Sequence, residues 1–358
     1  MALRILISPL DWGLGHTTRC IPIIQHLINR GVEVVVAASG SSLTLLKEEF
    51  PNVEFIEIKG YRVRYSSLLP VPLAVALQVP KINRAIAREH KELQHIIENK
   101  KIDAVISDNR FGLWSDKVPC VIITHQINVK SPYLKGFINN TNIELLKKFK
   151  VIWVPDCKEG DNLSGTLSHP HPEDMNVKYM GILSRFEPNA VQKEMQYDLL
   201  VLLSGPEPQR SMFEKKAIKQ IKEIGNLKAL IVRGIPGGKS ITAEKNIEFV
   251  THLNKNEMLE KILVSKAILS RPGYTTLMDL ARIGGKRAIF VPTPGQTEQE
   301  YLGMYMDSEG FAVNMLQNRF SLRDAWRRVF ATKGFNNALY KPVYKEVVDE
   351  WLNREFNA

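Results

Sequence analysis

The chain has 358 residues, of which 44% are hydrophobic and 24% charged. These values are typical of soluble globular proteins, so they exclude a disordered chain, a collagen-like repeat and a coiled coil. At roughly 150 residues per domain, the length predicts two compact domains or one large barrel. The formal charge of +10 is spread over both halves without an arginine-rich or aromatic-basic module, so we expect no nucleic-acid partner.

Apolar runs of strand length alternate with amphipathic segments along the first half of the chain. Strands are predicted over residues 4–8, 32–37, 53–58, 104–107, 121–124 and 151–154. Helices are predicted over residues 17–29, 42–49, 81–99 and 143–149. Repeated β-α units whose strands are apolar without alternation indicate a parallel sheet covered on both faces.

The pattern starts again after a polar linker at residues 184–192. Further strands are predicted over residues 199–203, 229–232, 247–250, 267–269, 288–291 and 312–314, with helices over 212–224 and 257–264. We therefore predict an α/β fold of two doubly wound Rossmann-like domains that face a central cleft. The first would span residues 1–184 and the second 185–335, with a C-terminal helix, 336–358, that packs back on the first.

The cysteines and the apolar segments bear on the compartment. Cys20, Cys120 and Cys157 form no Cys-x-x-Cys pair, so neither a disulfide framework nor a thiolate metal site is indicated. Residues 1–9 contain no signal-peptide core, which favours a cytoplasmic location. The longest apolar stretch, 68–79, is interrupted by prolines and is shorter than the ~20 residues that cross a bilayer.

The first candidate site follows the first predicted strand, where Gly13 and Gly15 precede a helix. Glycines allow a tight turn, and the free amides of a helix start attract anions. The third glycine of the dinucleotide fingerprint is missing and no acid ends the second strand, which disfavours a nicotinamide enzyme. His16 is predicted to act as a general base or to bind a phosphate, with helix capping as the structural alternative. Asp108, at a strand end, is the second candidate base.

The second candidate site is the strand-to-helix segment 270–279. Backbone amides and hydroxyls at Gly273, Thr275 and Thr276 suit a diphosphate at the helix N-terminus. Asp279 follows one turn later, where a carboxylate is placed to accept both hydroxyls of a ribose. The structural alternative is that Asp279 is an exposed first-turn acid favoured by the helix dipole.

The third candidate site is the segment 291–300, again a strand, a loop and a helix start. Glu298, Gln299 and Glu300 place three acid or amide side chains in one helix turn. Such side chains are suited to hydrogen bonds with sugar hydroxyls. The structural alternative is a solvated helix terminus.

Together, these motifs resemble those of the two-domain GT-B glycosyltransferases, in the branch of the lipid II-forming N-acetylglucosaminyltransferase and the plant galactolipid synthases. The resemblance covers essentially the whole chain and is strongest over residues 265–301. There, an Arg-x-Gly-x-x-Thr-x-x-acid motif precedes a strand that ends in Val-Pro and an acid-Gln pair at a helix start. The Gly-x-Gly-His loop at residues 13–16 matches the family's N-terminal glycine loop.

The resemblance implies that the second domain binds a nucleotide-sugar donor. Asp279, where the family has glutamate, would hold the ribose, Arg185 would pair with the diphosphate, and Leu253 and Met258 would line the uracil pocket. The remaining donor contacts would involve Gly15, Ser204, Gly205, Gly273, Thr275, Thr276, Glu298, Gln299 and Glu300.

The resemblance also implies that the first domain binds the acceptor. His125 and Gln126 match an acceptor-side motif of this domain, although Gln126 stands where the lipid II-forming enzyme has an acid. The apolar segment 68–77 lies between Arg62, Arg64, Lys81 and Arg84. It is either ordinary core or a segment that binds an anionic membrane surface, which would make the acceptor lipid-linked or otherwise membrane-borne.

The motifs, together with the resemblance, imply an inverting, metal-independent transfer of a sugar from a UDP-sugar to an acceptor, with N-acetylglucosamine as one candidate sugar. The UDP-sugar is a substrate, and we expect no cofactor. Two alternatives share the donor chemistry. A UDP-sugar 2-epimerase would release a free sugar, and a non-catalytic nucleotide-sugar-binding protein would bind the donor without converting it.

Overall fold

The computed structural model describes residues 2–61, 78–131, 135–187, 194–235, 238, 243–337 and 340–357. The chain forms two compact units, of which unit 1 comprises Met1–Arg185 and Tyr340–Ala358, and unit 2 comprises Phe186–Leu339. The C-terminal segment therefore belongs to unit 1. The apolar segment 68–77 lies outside the described residues.

Unit 1 is built on a seven-stranded parallel sheet. Its strands are β1 (Arg4–Pro9), β2 (Glu33–Ala38), β3 (Glu54–Glu57), β4 (Ala104–Asp108), β5 (Cys120–Ile123), β6 (Val151–Val154) and β7 (Val177–Tyr179). They lie in the order β3-β2-β1-β4-β5-β6-β7. Pro9 pairs with Asp108, so β1 and β4 end level with each other. This register brings the glycine loop after β1 to the end of β4.

Four helices in the described part of unit 1 lie between its strands. They are α1 (Leu14–Asn29), α2 (Gly40–Glu49), α3 (Val79–Lys100) and α4 (Lys135–Leu146). α1 begins three residues before the predicted start, because Gly13 takes a φ of 137° that permits the abrupt entry into the helix. His16 consequently lies in the first helical turn. α4 begins eight residues before the predicted start at 143, because its first turn is largely exposed and the following residues 139–142 are polar, so this part of the helix shows no apolar periodicity.

Unit 2 is built on a six-stranded parallel sheet. Its strands are β8 (Tyr197–Leu202), β9 (Ala229–Val232), β10 (Ile247–Val250), β11 (Ser265–Ser270), β12 (Arg287–Phe290) and β13 (Val313–Asn314). They lie in the order β10-β9-β8-β11-β12-β13. The apolar side chains of these strands form the core of the unit together with those of its helices.

The helices of unit 2 in the described residues are α5 (Gln209–Ile224), α6 (Lys255–Leu263), α7 (Tyr274–Ile283), α8 (Thr297–Ser308) and α9 (Leu322–Val329). α6 begins two residues before the predicted start because Asn254 and Glu257 form a capping box. The side chain of Asn254 accepts from the N–H of Glu257 at 3.0 Å, and the Glu257 carboxylate accepts from the N–H of Asn254 at 2.9 Å.

The C-terminal helix, α10 (Tyr344–Phe356), packs on unit 1. His26 Nε2 of α1 lies 2.8 Å from Asp349 Oδ1, and the rings of Trp153 and Trp351 meet edge to face with centroids 5.4 Å apart. The predicted α/β class with two doubly wound parallel sheets is confirmed. None of the helices in the described ranges has the length and apolar character needed to cross a membrane.

Candidate active site

His16 and Asp108, predicted separately as alternative bases, are in contact. His16 Nδ1 lies 2.9 Å from Asp108 Oδ1. Asp108 is the last residue of β4 and its side chain is fully buried, whereas the His16 side chain keeps 19% of its surface exposed. The pair thus couples a buried carboxylate to a histidine that reaches solvent.

Arg19 is the third residue of this cluster and binds the Asp108 carboxylate. Its Nε donates to Asp108 Oδ2 at 2.6 Å, and its Nη2 donates to Asp108 Oδ1. Burial raises the pKa of the Asp108 carboxyl, but the charge of Arg19 and the hydrogen bonds from Arg19 and His16 outweigh burial and hold this pKa well below its usual range. Asp108 is therefore ionised at neutral pH.

The tautomer of His16 follows from the groups that face Nδ1. His16 Nδ1 lies 2.9 Å from both Asp108 Oδ1 and Arg19 Nη2, and a ring nitrogen can make only one of these two hydrogen bonds. A lone pair on Nδ1 would face an ionised carboxylate oxygen, so we assign the ring proton to Nδ1. The lone pair of the neutral ring is then on Nε2, as a general base requires.

His125 and Cys20 border the same cluster. Arg19 Nη1 lies 3.3 Å from His125 Nδ1, and the His125 residue is only 3% exposed. The Cys20 thiol donates to Asp108 Oδ2 at 3.4 Å, and burial, with the Asp108 charge, raises its pKa well above the usual value. Gln126 is only partly buried, and its N–H donates to Thr124 Oγ1 at 3.1 Å.

Arg19 was not predicted from the sequence as a site residue. It follows His16 by three residues, and residues at this spacing share one face of a helix. This spacing was a usable signal, because a charged residue on the same face as a candidate base needs a partner if that face is buried.

In unit 2, the N-terminus of α7 follows β11 as predicted. Gly273 is the N-cap and offers no side-chain cap, and Thr275 and Thr276 occupy the first turn. That turn contains no acid, and Asp279 lies beyond it and is partly buried. The alternative that Asp279 is an exposed first-turn acid is therefore wrong.

The loop after β8 carries Ser204 and Gly205, which are both exposed. Gly205 has a φ of 102°, in the region that favours glycine. A Cβ at this position would lie 3.6 Å from Thr293 Oγ1, so the loop passes directly over the segment that follows β12. Leu253 is buried before α6, and Met258 is half-buried on that helix.

Two of the polar side chains at the start of α8 bond back to the preceding loop. Gln299 Oε1 accepts from the N–H of Thr293 at 2.9 Å, and Glu300 Oε1 accepts from the N–H of Gly295 at 2.8 Å. These two hydrogen bonds fix the conformation of the loop. This structural role was not predicted from the sequence. Glu298 lies in the same turn and is partly exposed.

Arg271, between β11 and α7, is a buried structural cation. Its Nη1 donates to the carbonyls of Val291 and Pro292 at 2.8 and 2.9 Å, and its Nη2 donates to Gln317 Oε1 at 2.6 Å. Burial lowers the pKa of Arg271 to about 10. The residue ties the loop after β12 to the start of α7, so it shapes the candidate diphosphate site from inside the protein.

Arg185 is the last residue of the first of the two chain segments that form unit 1, and it is partly buried. In the described ranges, no group of three or more His, Cys, Asp and Glu side chains is placed to hold a metal ion. Independence from metals and cofactors stays a prediction.

The chain is similar in sequence to known proteins. Two glycosyltransferases of uncharacterised function, from Methanosarcina mazei and Methanosarcina acetivorans, are each 23% identical to this chain over 346 and 347 residues. Each alignment covers 86% of this chain and 84% of the relative.

Solved structures of glycosyltransferases share the fold. SnogD from Streptomyces nogalater superposes with a TM-score of 0.69 at 13% identity, covering 99% of this chain and 100% of SnogD. MurG from Acinetobacter baumannii gives a TM-score of 0.59 at 15% identity, with the same coverage. The calicheamicin glycosyltransferase CalG4 gives 0.64 at 13% identity, covering 99% of both chains. The predicted GT-B fold is confirmed.

The family model described as glycosyl transferase family 1 matches residues 3–325, which include both sheets and every candidate site. The chain is therefore a glycosyltransferase that belongs to glycosyl transferase family 1.

Proposed function

We propose that this glycosyltransferase moves a sugar from a UDP-sugar to an acceptor hydroxyl by a single inverting displacement, with His16 as general base. Membership of the family implies a nucleotide-sugar donor and an acceptor. The contact of His16 with the buried, ionised Asp108 carries the proposal, because it orients the ring and stabilises the imidazolium that a base becomes.

In this step the acceptor oxygen attacks the anomeric carbon from the face opposite the UDP group. The proton of the hydroxyl passes to His16 Nε2, a bond forms between the acceptor oxygen and the anomeric carbon, and the bond from that carbon to the UDP oxygen breaks. UDP leaves with the bonding electron pair. Because backbone amides at a helix N-terminus stabilise a phosphate anion, we propose that no metal is required.

Unit 2 is proposed to hold the donor. The first turn of α7, with Thr275 and Thr276, would bind the diphosphate together with the Ser204–Gly205 loop. Asp279 would bind the ribose, and Leu253 and Met258 the uracil. The remaining proposed contacts of unit 2 are with the donor sugar or the nearby phosphate, through Gly273, Glu298, Gln299 and Glu300. Because the oxygens Oε1 of Gln299 and Glu300 are engaged in the loop, their other polar atoms would meet the sugar.

A thermal-shift screen of nucleotide sugars tests the donor, because a ligand that binds only the native state raises its stability. Product analysis with the best donor then separates three functions. Transfer needs an acceptor, a 2-epimerase releases a free sugar without an acceptor, and a binding protein leaves the nucleotide sugar unchanged. We expect acceptor-dependent turnover that persists in excess EDTA.

Replacing Asp279 by alanine is expected to weaken UDP-sugar binding about 10- to 100-fold, the loss typical of a hydrogen bond to a charged group. The fold should stay intact, because Asp279 is only partly buried. Calorimetric titration of the donor measures the loss. Glu309→Ala, which removes an exposed acid next to α8, is the matched control. Unchanged affinity in Asp279→Ala would remove the residue from the donor site.

We further propose that the protein, placed in the cytoplasm, associates peripherally with an anionic membrane and takes a lipid-linked or otherwise membrane-borne acceptor. The support is the apolar segment 68–77 and its flanking cations. At low salt, the protein should co-sediment with liposomes that contain anionic lipid. Replacing Leu69 and Leu73 by serine should reduce co-sedimentation in a protein that stays folded. Absence of binding at low salt, where attraction is least screened, would favour an acceptor in solution.

A further inference from the structure

A pocket of about 350 Å³ lies in unit 1, and its lining contains no residue of the base cluster, which comprises His16, Arg19, Cys20, Asp108 and His125. It is lined by the loops that leave the carboxyl ends of β5 and β6 and by the start of α4. In parallel sheets, this is the edge at which ligands bind, and the volume falls in the range of small-molecule sites. The loop that supplies Lys130 to the pocket begins at Thr124, next to His125 of the base cluster.

Hydrogen bonds fix the walls of this pocket. Asn139 Oδ1 of α4 accepts from the N–H of Val129 at 2.6 Å, and Asn128 Nδ2 donates to the Pro170 carbonyl at 2.8 Å. These two bonds join the helix and both loops. A site whose walls are already held in place loses little entropy when a ligand binds.

The charges in the pocket have one sign. Its lining contains Lys130, Lys135 and His169, and no Asp or Glu occurs among the described residues that line it. Lys130 Nζ donates to Thr166 Oγ1 at 2.6 Å, which holds the ammonium group at the wall. Burial, and after it the charge of Lys135, lowers the pKa of Lys130. The two ammonium groups therefore repel each other, and an anion between them would relieve this repulsion.

The carboxylate of Asp156, which lies beside His169, already accepts hydrogen bonds. Asp156 Oδ2 lies 3.7 Å from His169 Nε2, but the Asp156 carboxylate accepts from the backbone N–H groups of Leu163 and Ser164 at 2.9 and 2.8 Å. Asp156 thus organises the loop after β6. Its carboxylate is not among the groups that line the pocket.

We propose that this pocket binds a phosphate group of the acceptor, with Lys130 and Lys135 as its cationic ligands. The proposal rests on the proposed function, in which unit 1 holds the acceptor. A phosphate monoester carries a charge of about −1.5 to −2 at neutral pH, which matches two ammonium groups, whereas a carboxylate carries one negative charge. Lysine binds phosphate as a point charge and needs no planar, bidentate partner.

The test is calorimetric titration of the full chain with inorganic pyrophosphate at low salt, in the presence of excess UDP to occupy the proposed donor loops. The double variant Lys130→Gln, Lys135→Gln should bind pyrophosphate at least about tenfold more weakly than the unmodified protein, because two charge-assisted contacts are lost. The variant Lys130→Arg, Lys135→Arg keeps both charges and should retain binding.

The matched control is Lys91→Gln, Lys158→Gln, which removes the same charge from two exposed positions of unit 1. Its affinity should equal that of the unmodified protein. The proposal is overturned if the unmodified protein does not bind pyrophosphate, if the pocket variant binds as tightly as the unmodified protein, or if the control loses as much affinity as the pocket variant.

The titration involves no sugar transfer, so it separates the two proposals. Pyrophosphate binding that depends on Lys130 and Lys135, without transfer from any UDP-sugar, would overturn the proposed function and support the phosphate site. Transfer from a UDP-sugar without such pyrophosphate binding would support the proposed function and overturn the phosphate site.

Vesicles identify the source of the phosphate once pyrophosphate binding depends on the pocket. Co-sedimentation with phosphatidylcholine vesicles that contain phosphatidic acid is compared between the pocket variant and its control. A loss confined to the pocket variant supports the proposal with a lipid phosphate as the ligand. Equal co-sedimentation of both variants supports it with a phosphate on a water-soluble acceptor.

Discussion

Replacing His16 by alanine should lower kcat about 10²- to 10⁴-fold, the range that a general base contributes. The dissociation constant of the UDP-sugar should change little, because a base acts on the acceptor proton in the transition state and holds no part of the donor. Steady-state kinetics at saturating donor and acceptor, together with calorimetric titration of the donor, measure the two quantities.

His95→Ala is the matched control for this experiment. His95 is an exposed histidine of α3 in the same unit, so its removal tests whether loss of any histidine affects turnover. Its kcat should equal that of the unmodified enzyme. A fall in donor affinity as large as the fall in rate would make His16 a phosphate ligand, and the base would then have to be sought elsewhere.

The fold could be predicted from the sequence because its signals are local. Strands that are buried on both faces appear as continuous apolar runs, as in residues 120–123 and 151–154. Helix boundaries were less certain where the determinant was a backbone conformation or a side-chain cap. Gly13 and the Asn254–Glu257 capping box moved two helix starts by two or three residues.

The sequence predicted two residues of the candidate base site but not the contact between them. His16 and Asp108 were each found from their position after a strand, but 92 residues separate them, and their contact depends on the level ends of β1 and β4. The sequence therefore offered them as competing bases, whereas the structure makes one the partner of the other. The spacing of Arg19 from His16 places both on one face of α1, but the identity of the buried partner, Asp108, depends on the same tertiary contact.

The loop before α8 shows a different limit. The amide of Gln299 and the acid of Glu300 can form hydrogen bonds with sugar hydroxyls or with backbone N–H groups, and the sequence favours neither partner. Their bonds to Thr293 and Gly295 depend on how the loop after β12 turns, which the prolines of that loop restrict but do not determine. Residue type alone could not separate ligand contacts from loop contacts.

Asp108→Asn should produce the second large effect, on both turnover and stability. An asparagine amide placed to donate to His16 Nδ1 would move the ring proton to Nε2, where it blocks the base, so kcat should fall about 10²- to 10⁴-fold. Arg19 is 1% exposed and would lose its counter-charge. Removing one partner of a buried ion pair costs about 3–5 kcal/mol in the free energy of unfolding.

The pH dependence of this stability term has a definite sign. The pKa of Asp108 is lower in the folded protein than the value of about 3.9 for an unfolded aspartate. The carboxylate therefore contributes its full stabilisation above the unfolded pKa, and this contribution is lost as the pH falls below about 4 toward the folded pKa. Urea unfolding at pH 7 should show the difference between Asp108 and Asn at this position in full, and the difference should shrink below pH 4.

A double variant separates the catalytic effect of Asp108 from its structural effect. Adding Arg19→Met to Asp108→Asn removes the uncompensated buried cation, so the free energy of unfolding should recover part of the loss. The proton of His16 would remain without its carboxylate, so kcat should stay low at temperatures where the protein is folded. If kcat recovered together with stability, Asp108 would serve only to neutralise Arg19, and His16 would act without a carboxylate partner.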